Sequence, residues 1–125
     1  MKRLSALVFV ASMFFVVSGA NAYDDRTITL ASGNLVKVRI IGPLVDSAGD
    51  QSFDITHVVD GRINETDALK LADAIWAVLQ SDIEKRKVPY VLLFIQEAPQ
   101  PPASAVYTFR YEKFPDGKWK MTWHH

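Results

Sequence analysis

Residues 64–89, NETDALKLADAIWAVLQSDIEKRKVP, decide the fold. At about 100° per residue, Ala68, Leu69, Leu71, Ala72, Ile75, Trp76, Val78, Leu79 and Ile83 fall within one half of a helix circumference. Lys70, Asp73, Ala77, Gln80, Ser81 and Glu84 occupy the other half. Asn64 stands in N-cap position with Asp67 three residues on, and Glu65 and Asp67 lie near the positive end of the helix dipole. Lys85, Arg86 and Lys87 sit at the negative end, and Pro89 stops the helix. A helix with one apolar half needs an apolar surface to bury it, and a sheet is the natural one.

The sequence on either side supplies that sheet. Downstream, Tyr90 to Ile95 reads YVLLFI, apolar on both faces, as a central strand does. Glu97 to Ser104, EAPQPPAS, is a Pro-rich loop. Val106 to Phe114 then alternates, with Tyr107, Phe109 and Tyr111 on one face and Thr108, Arg110 and Glu112 on the other. Pro115-Asp116-Gly117 is a turn, after which Trp119, Met121 and Trp123 alternate with Lys118, Lys120 and Thr122. The two segments pair as a hairpin. Upstream, Thr27 to Leu30 and Leu35 to Ile41 form a second hairpin around Ala31-Ser32-Gly33-Asn34, closed by Gly42-Pro43. Residues 44–52 have loop chemistry, Phe53 to Val59 is a short third strand, and Asp60-Gly61 a turn. The expectation is an α+β fold: an antiparallel sheet of five to six strands, order β-β-(β)-α-β-β-β, with one amphipathic helix on one face.

The first 22 residues read differently. Lys2 and Arg3 precede an uncharged apolar run from Leu4 to Val17, and Ala20-Asn21-Ala22 ends the segment. Basic start, short apolar stretch and small residues at Ala20 and Ala22 are the parts of a secretory signal. The run is shorter than the roughly 18–20 residues that cross a bilayer, so cleavage is expected and no stable membrane anchor after it. The domain would span residues 23–125. The periplasm is the expected compartment, ahead of the extracellular medium. The chain contains no cysteine, so packing alone must hold the domain.

Charge narrows the partners. The whole chain carries 14 basic and 14 acidic residues. Losing Lys2 and Arg3 with the leader leaves 12 against 14 and a net charge of −2, without the basic patch that nucleic acid requires.

No motif with catalytic spacing is present. His57 has Asp54 and Asp60 three residues to either side, but odd offsets on a strand put both on the face away from the ring. His124 and His125 end the chain as neighbours, which point to opposite faces and do not make a zinc site. Asp46, Asp50 and Asp54 recur at intervals of four, unlike the alternating ligands of a calcium loop. No phosphate-binding glycine loop and no G-x-S-x-G occurs. No cofactor, no metal site and no catalytic residue is therefore expected.

Two features point toward binding. The aromatic set Tyr107, Phe109, Tyr111, Trp119 and Trp123 is either the sheet side of the core or a stacking platform, and its alternation favours the core. The central strand is sharper. One helix covers either Tyr90, Leu92 and Phe94 or Val91, Leu93 and Ile95, not both. The second set needs the N-terminal hairpin, the 98–104 loop or another chain. The first reading is thus a small exported non-catalytic module acting on a protein partner, as an inhibitor, immunity or assembly accessory protein. A homo-oligomer is the related possibility. The alternative is a small-ligand carrier or enzyme with a pocket between sheet and helix, and a structural envelope component is a third. Mass measurement on material recovered after export should place the N-terminus at Tyr23; a chain beginning at Met1 contradicts the leader.

Overall fold

The computed structural model describes residues 22–125; residues 1–21 of the leader, Ala20 among them, lie outside these, and Ala22, its last residue, is described as the start of the first strand. Six strands and one helix follow in the order β1 (Ala22–Thr29), β2 (Leu35–Val45), β3 (Gln51–Val59), α1 (Glu65–Glu84), β4 (Tyr90–Glu97), β5 (Val106–Lys113) and β6 (Trp119–His124). The strands form one sheet in sequence order, with β1 and β6 at its edges. The α+β architecture is the expected one. Four of the five strand pairs are antiparallel, and β3 with β4 is parallel. The parallel pair follows from the position of α1. A helix lying on the sheet returns the chain to the same end from which β3 started, as in any βαβ crossover.

The helix starts and packs as its sequence requires. Asn64 accepts a hydrogen bond from the Asp67 backbone N–H at 2.8 Å. Ala68, Ala72, Ile75, Trp76, Leu79 and Ile83 are buried. They meet Val91, Leu93 and Ile95 of β4, Ile55 of β3 and Phe109 of β5, each 0–1% exposed. Burying side chains of this size contributes about 1.5–3 kcal/mol apiece. Trp76 stacks on Tyr111 at 4.9 Å between ring centroids and meets Trp119 edge-on at 5.0 Å. Tyr111 donates its hydroxyl to Asp73 on the helix at 2.8 Å, and burial holds its ionisation well above the ordinary phenol range. Trp119 Nε1 is the one buried side-chain polar atom without a hydrogen-bond partner among the described residues. At the β1 edge, Arg26 bonds Asp24 and, at 2.9 Å, Asp82 of the helix.

Three boundaries differ from the sequence reading. β1 extends back to Ala22, where it pairs with Gly42. β2 runs on past Gly42-Pro43 to Val45, with a register shift between Ile41 and Leu44 that absorbs the extra residues. Gly42 has φ +143°, and a Cβ there would lie 2.8 Å from Phe53 Cδ1 and 2.9 Å from the Ser52 carbonyl oxygen. Only glycine lets β2 and β3 approach this closely. β3 begins at Gln51, so the loop between these strands shrinks to a turn at 46–50. Asp46 closes that turn by accepting backbone N–H bonds from Ala48 and Asp50 at 2.9 Å each.

The Pro-rich loop docks at the opposite end of the molecule. Glu97 is 3% exposed and accepts the backbone N–H groups of Ile63 and Ala105 at 2.9 Å and Arg62 Nη1 at 3.2 Å. Arg62 also donates to the Ala103 carbonyl, and to that of Pro101 at 2.8 Å. Gln100 Nε2 reaches the Gly61 carbonyl at 3.1 Å. The Ala105 and Ile63 N–H groups hold the Glu97 carboxyl below its ordinary value, against the effect of burial. A lowered carboxylate stabilises the fold above its unfolded-state value of 4.5, and the benefit disappears as pH falls through the folded value. Glu97→Gln should therefore lower the melting temperature at neutral pH, and the gap from wild type should narrow below about pH 4.5 in thermal melts.

Candidate functional site

Strand alternation gives the sheet a second face, opposite the helix. Register aligns its side chains in rows across the strands. The central row runs Tyr23, Ile41, Asp54, Leu92, Arg110, Trp123. Beside it runs Asp25, Arg39, Thr56, Phe94, Thr108, and beyond that come Thr27 and Lys37 with Val58, Gln96 and Val106. Val58 is 50% exposed and Trp123 49%, while Leu92 and Phe94 are half-buried. A groove of about 730 Å³ lies over β1, β2 and β3, lined by Thr27, Lys37, Arg39, Ile41, Thr56 and Val58 among others.

The internal elements that could have covered this face are engaged elsewhere. The N-terminal hairpin is part of the sheet itself. The 98–104 loop is tied to residues 61–63 through Glu97, Arg62 and Gln100. Only Tyr90 of the central-strand set is closed over, at 6% exposure. The Arg110 guanidinium lies 3.8 Å above its ring, and its hydroxyl donates to Asp46 at 2.8 Å. Helix α1 takes Val91, Leu93 and Ile95; Leu92 and Phe94 remain on the open side.

The aromatic set divides. Tyr107, Phe109, Tyr111 and Trp119 lie on the helix side, with Phe109 and Tyr111 buried and Tyr107 and Trp119 packed against the core. Trp123, expected to share the face of Trp119 and Met121, does not. Tyr111 pairs with Met121 but Arg110 with Trp123, so a bulge at Thr122 turns Trp123 onto the open face. Simple alternation cannot register an inserted residue.

The histidines have structural partners. His57 Nδ1–H donates to the Lys37 carbonyl at 2.6 Å, just beyond the last β2–β3 pair, Arg39 with Thr56. His124 Nδ1 lies 3.1 Å from Glu65 Oε2, and its ring stacks on Phe109 at 6.3 Å. His125 exchanges two backbone hydrogen bonds of 2.9 Å with Thr108. The three aspartates separate: Asp46 closes a turn, Asp50 is exposed, and Asp54 stands on the open face. Among the described residues, no group of three His, Cys, Asp or Glu could hold a metal ion.

Asp54, noted in the sequence only for its spacing to His57 and to Asp46 and Asp50, takes on a different character in the fold. It lies between Ile41 and Leu92 in register and is half-buried. The other partly buried or buried carboxylates each have a donor: Asp24 and Asp82 have Arg26, Asp46 has Tyr90, Glu84 has Lys113, and Glu112 has Arg110 and Thr122. Glu97 has three donors. Asp54 has none among the described residues, and burial raises its proton affinity above that of an ordinary aspartate. The arginines in and beside its row are committed, Arg39 to Asp25 at 2.6 and 2.9 Å and Arg110 to Glu112 at 2.9 Å.

A carboxyl whose folded proton affinity is raised costs stability once the pH is high enough to ionise it. Asp54→Asn should therefore raise the melting temperature at neutral pH, and the gain should shrink as the pH falls through the raised value. A loss of stability on this substitution would show instead that Asp54 has a partner within the fold. No protein-family model, no curated protein and no solved structure matches this chain.

Proposed function

We propose that this protein is an exported, non-catalytic module that binds a protein partner through the open face of its sheet. The carrying observation is the uncovered centre of that face. Leu92, Phe94, Val58 and Trp123 present apolar surface on a rigid sheet, and the internal segments that could shield them are bonded elsewhere. Mixed apolar and polar side chains around a central aromatic and aliphatic patch match the make-up of protein interfaces. The sheet positions them without flexible loops, which limits the ordering entropy lost on association.

Export rests on the leader at residues 1–22. No helix among the described residues is long and apolar enough to cross a membrane. The mature charge of −2 supports neither nucleic acid nor anionic lipid as partner.

A small-ligand role has one supporting observation, the groove of about 730 Å³ over β1 to β3. It lies on the open face. The space between helix and sheet is filled by side chains such as Ile55, Ile75, Leu79 and Leu93, at 0–1% exposure. A groove open along the sheet buries less of a small molecule than an enclosed pocket, so the protein-binding reading takes precedence.

The discriminating experiment compares two surface variants in capture of envelope proteins. Phe94→Glu places a charge in the centre of the open face, and Lys70→Glu changes the exposed side of the helix. Phe94→Glu should reduce recovery of the captured protein about tenfold or more, and Lys70→Glu should leave it unchanged. Equal recovery with both variants would refute the docking face. Self-association abolished by Phe94→Glu in sedimentation would identify the partner as a second copy.

A further inference from the structure

We propose that Asp54 is the seat for a lysine or arginine side chain of the protein partner that docks on the open face. The proposal deepens the function above and rests on it. Its basis is the arrangement of charge on this face. Asp54 stands in the middle of the central row with apolar neighbours on both adjacent strands, Ile41 and Leu92. It is the only half-buried carboxylate among the described residues without a hydrogen bond or ion pair, whereas every other one has its donor inside the fold.

An anion withdrawn from water without a partner is costly, and a complementary cation removes that cost. Two cations of the same face, Arg39 and Arg110, are engaged by other groups, and Lys37 and Lys120 lie in rows other than that of Asp54. Arg39 makes a two-armed bond to Asp25 and lies over the Tyr23 ring at 4.5 Å. Arg110 lies over Tyr90 and bonds Glu112. The surroundings also suit the stem of the incoming side chain. Lysine and arginine carry several methylenes below the charge, and Leu92, Ile41 and Phe94 offer them apolar contact. A docked partner would exclude water from the pair, which strengthens it further.

The acids on the same face are shifted the other way from Asp54. Asp25 is held low by its hydrogen bonds from Arg39, and Glu112 by Thr122 and then Arg110. Burial raises the Tyr90 hydroxyl, and the hydrogen bond to Asp25 raises Arg39. Acidification through the raised value of Asp54 neutralises this carboxyl, whose shift is opposite in direction to those of Asp25 and Glu112.

The test uses the full chain and n-butylguanidinium, an arginine side chain without its backbone, with n-butylurea as the neutral probe of the same shape. The methyl resonances of Ile41 and Leu92 report occupancy by NMR. The guanidinium probe should shift them saturably in the millimolar range, and butylurea should not. Asp54→Asn should weaken the guanidinium probe about tenfold. Acidifying the wild-type protein through the Asp54 titration should weaken it to a similar degree, which keeps the test independent of how the variant folds. Equal shifts with both probes, or affinity unchanged by both substitution and acid, overturns the proposal. Micromolar affinity for the free cation also overturns it, because the site would then be built for a small amine. If the probe fails while Phe94→Glu still abolishes capture, the docking face stands and the role of Asp54 falls. Capture that survives Phe94→Glu removes the docking face, and with it the partner side chain.

Discussion

The structure depends on a mismatch between one helix and a six-stranded sheet. A sheet has two faces, and the apolar stripe of α1 serves one of them. Ala72, Ile75, Leu79 and Ile83 meet Val91, Leu93, Ile95 and Phe109 in a core where each is 0–1% exposed. Nothing in the chain after residue 22 provides a second layer. The central strand is apolar on both sides because burial on the helix side is complete, and its other side carries Leu92 and Phe94 to the surface of the molecule. Antiparallel sheets commonly solvate one face, and strict alternation with polar residues would then be enough. Here β4 departs from that pattern, and the departure lies at the centre of the sheet, where neighbouring strands give a partner the broadest rigid surface.

The two ends of the molecule show how the remaining polar groups are handled. At one end Glu97 gathers two backbone N–H groups and Arg62, and the Pro-rich loop is anchored beside it. At the other end Asp46 closes the β2–β3 turn while accepting the Tyr90 hydroxyl, so the outer side of β4 is sealed where the strand begins. Arg110 completes that seal from β5. Both ends are locked by charge-assisted hydrogen bonds that withdraw loops and cations from the middle of the open face. The open region is bounded by these locks, which is why Tyr90 is buried and Leu92 and Phe94, on the same side of the same strand, are not fully covered.

Much of this architecture was legible in the residues themselves. The helix, the C-terminal hairpin and the two-faced central strand follow from periodicity, because each property repeats over several residues in a row, and the Asn64 cap from its residue type at the helix start. What was not legible depends on single residues acting across strands. Gly42-Pro43 looks like a terminator, yet Gly42 lets β2 pass close to Phe53 and continue to Val45. The bulge at Thr122 moves Trp123 from the core side to the open side, and no alternation of types announces an inserted residue. The parallel pairing of β3 with β4 depends on where the crossover helix lands, which composition does not encode. Asp54 was visible as one of three aspartates at regular spacing and as a neighbour of His57, neither of which marks it as isolated. Its isolation emerges from register, once Ile41 and Leu92 are seen on either side and Arg39 and Arg110 are seen to be occupied.

That isolation carries the functional argument furthest. Selection for stability alone would favour a neutral side chain at this position, since an unpaired half-buried carboxylate opposes folding at neutral pH. The two arginines of the same face, Arg39 beside the row of Asp54 and Arg110 within it, are both held by other acids. A fold that pairs its other half-buried carboxylates internally and leaves this one open keeps a charge available in the centre of its exposed apolar surface. Such a charge gives a flat patch what apolar contact alone lacks: a penalty for any partner that does not bring a cation to the right place. Affinity would come from Leu92, Phe94, Val58 and Trp123, and discrimination from Asp54, so the two properties of a specific interface reside on the single sheet face that the helix leaves uncovered.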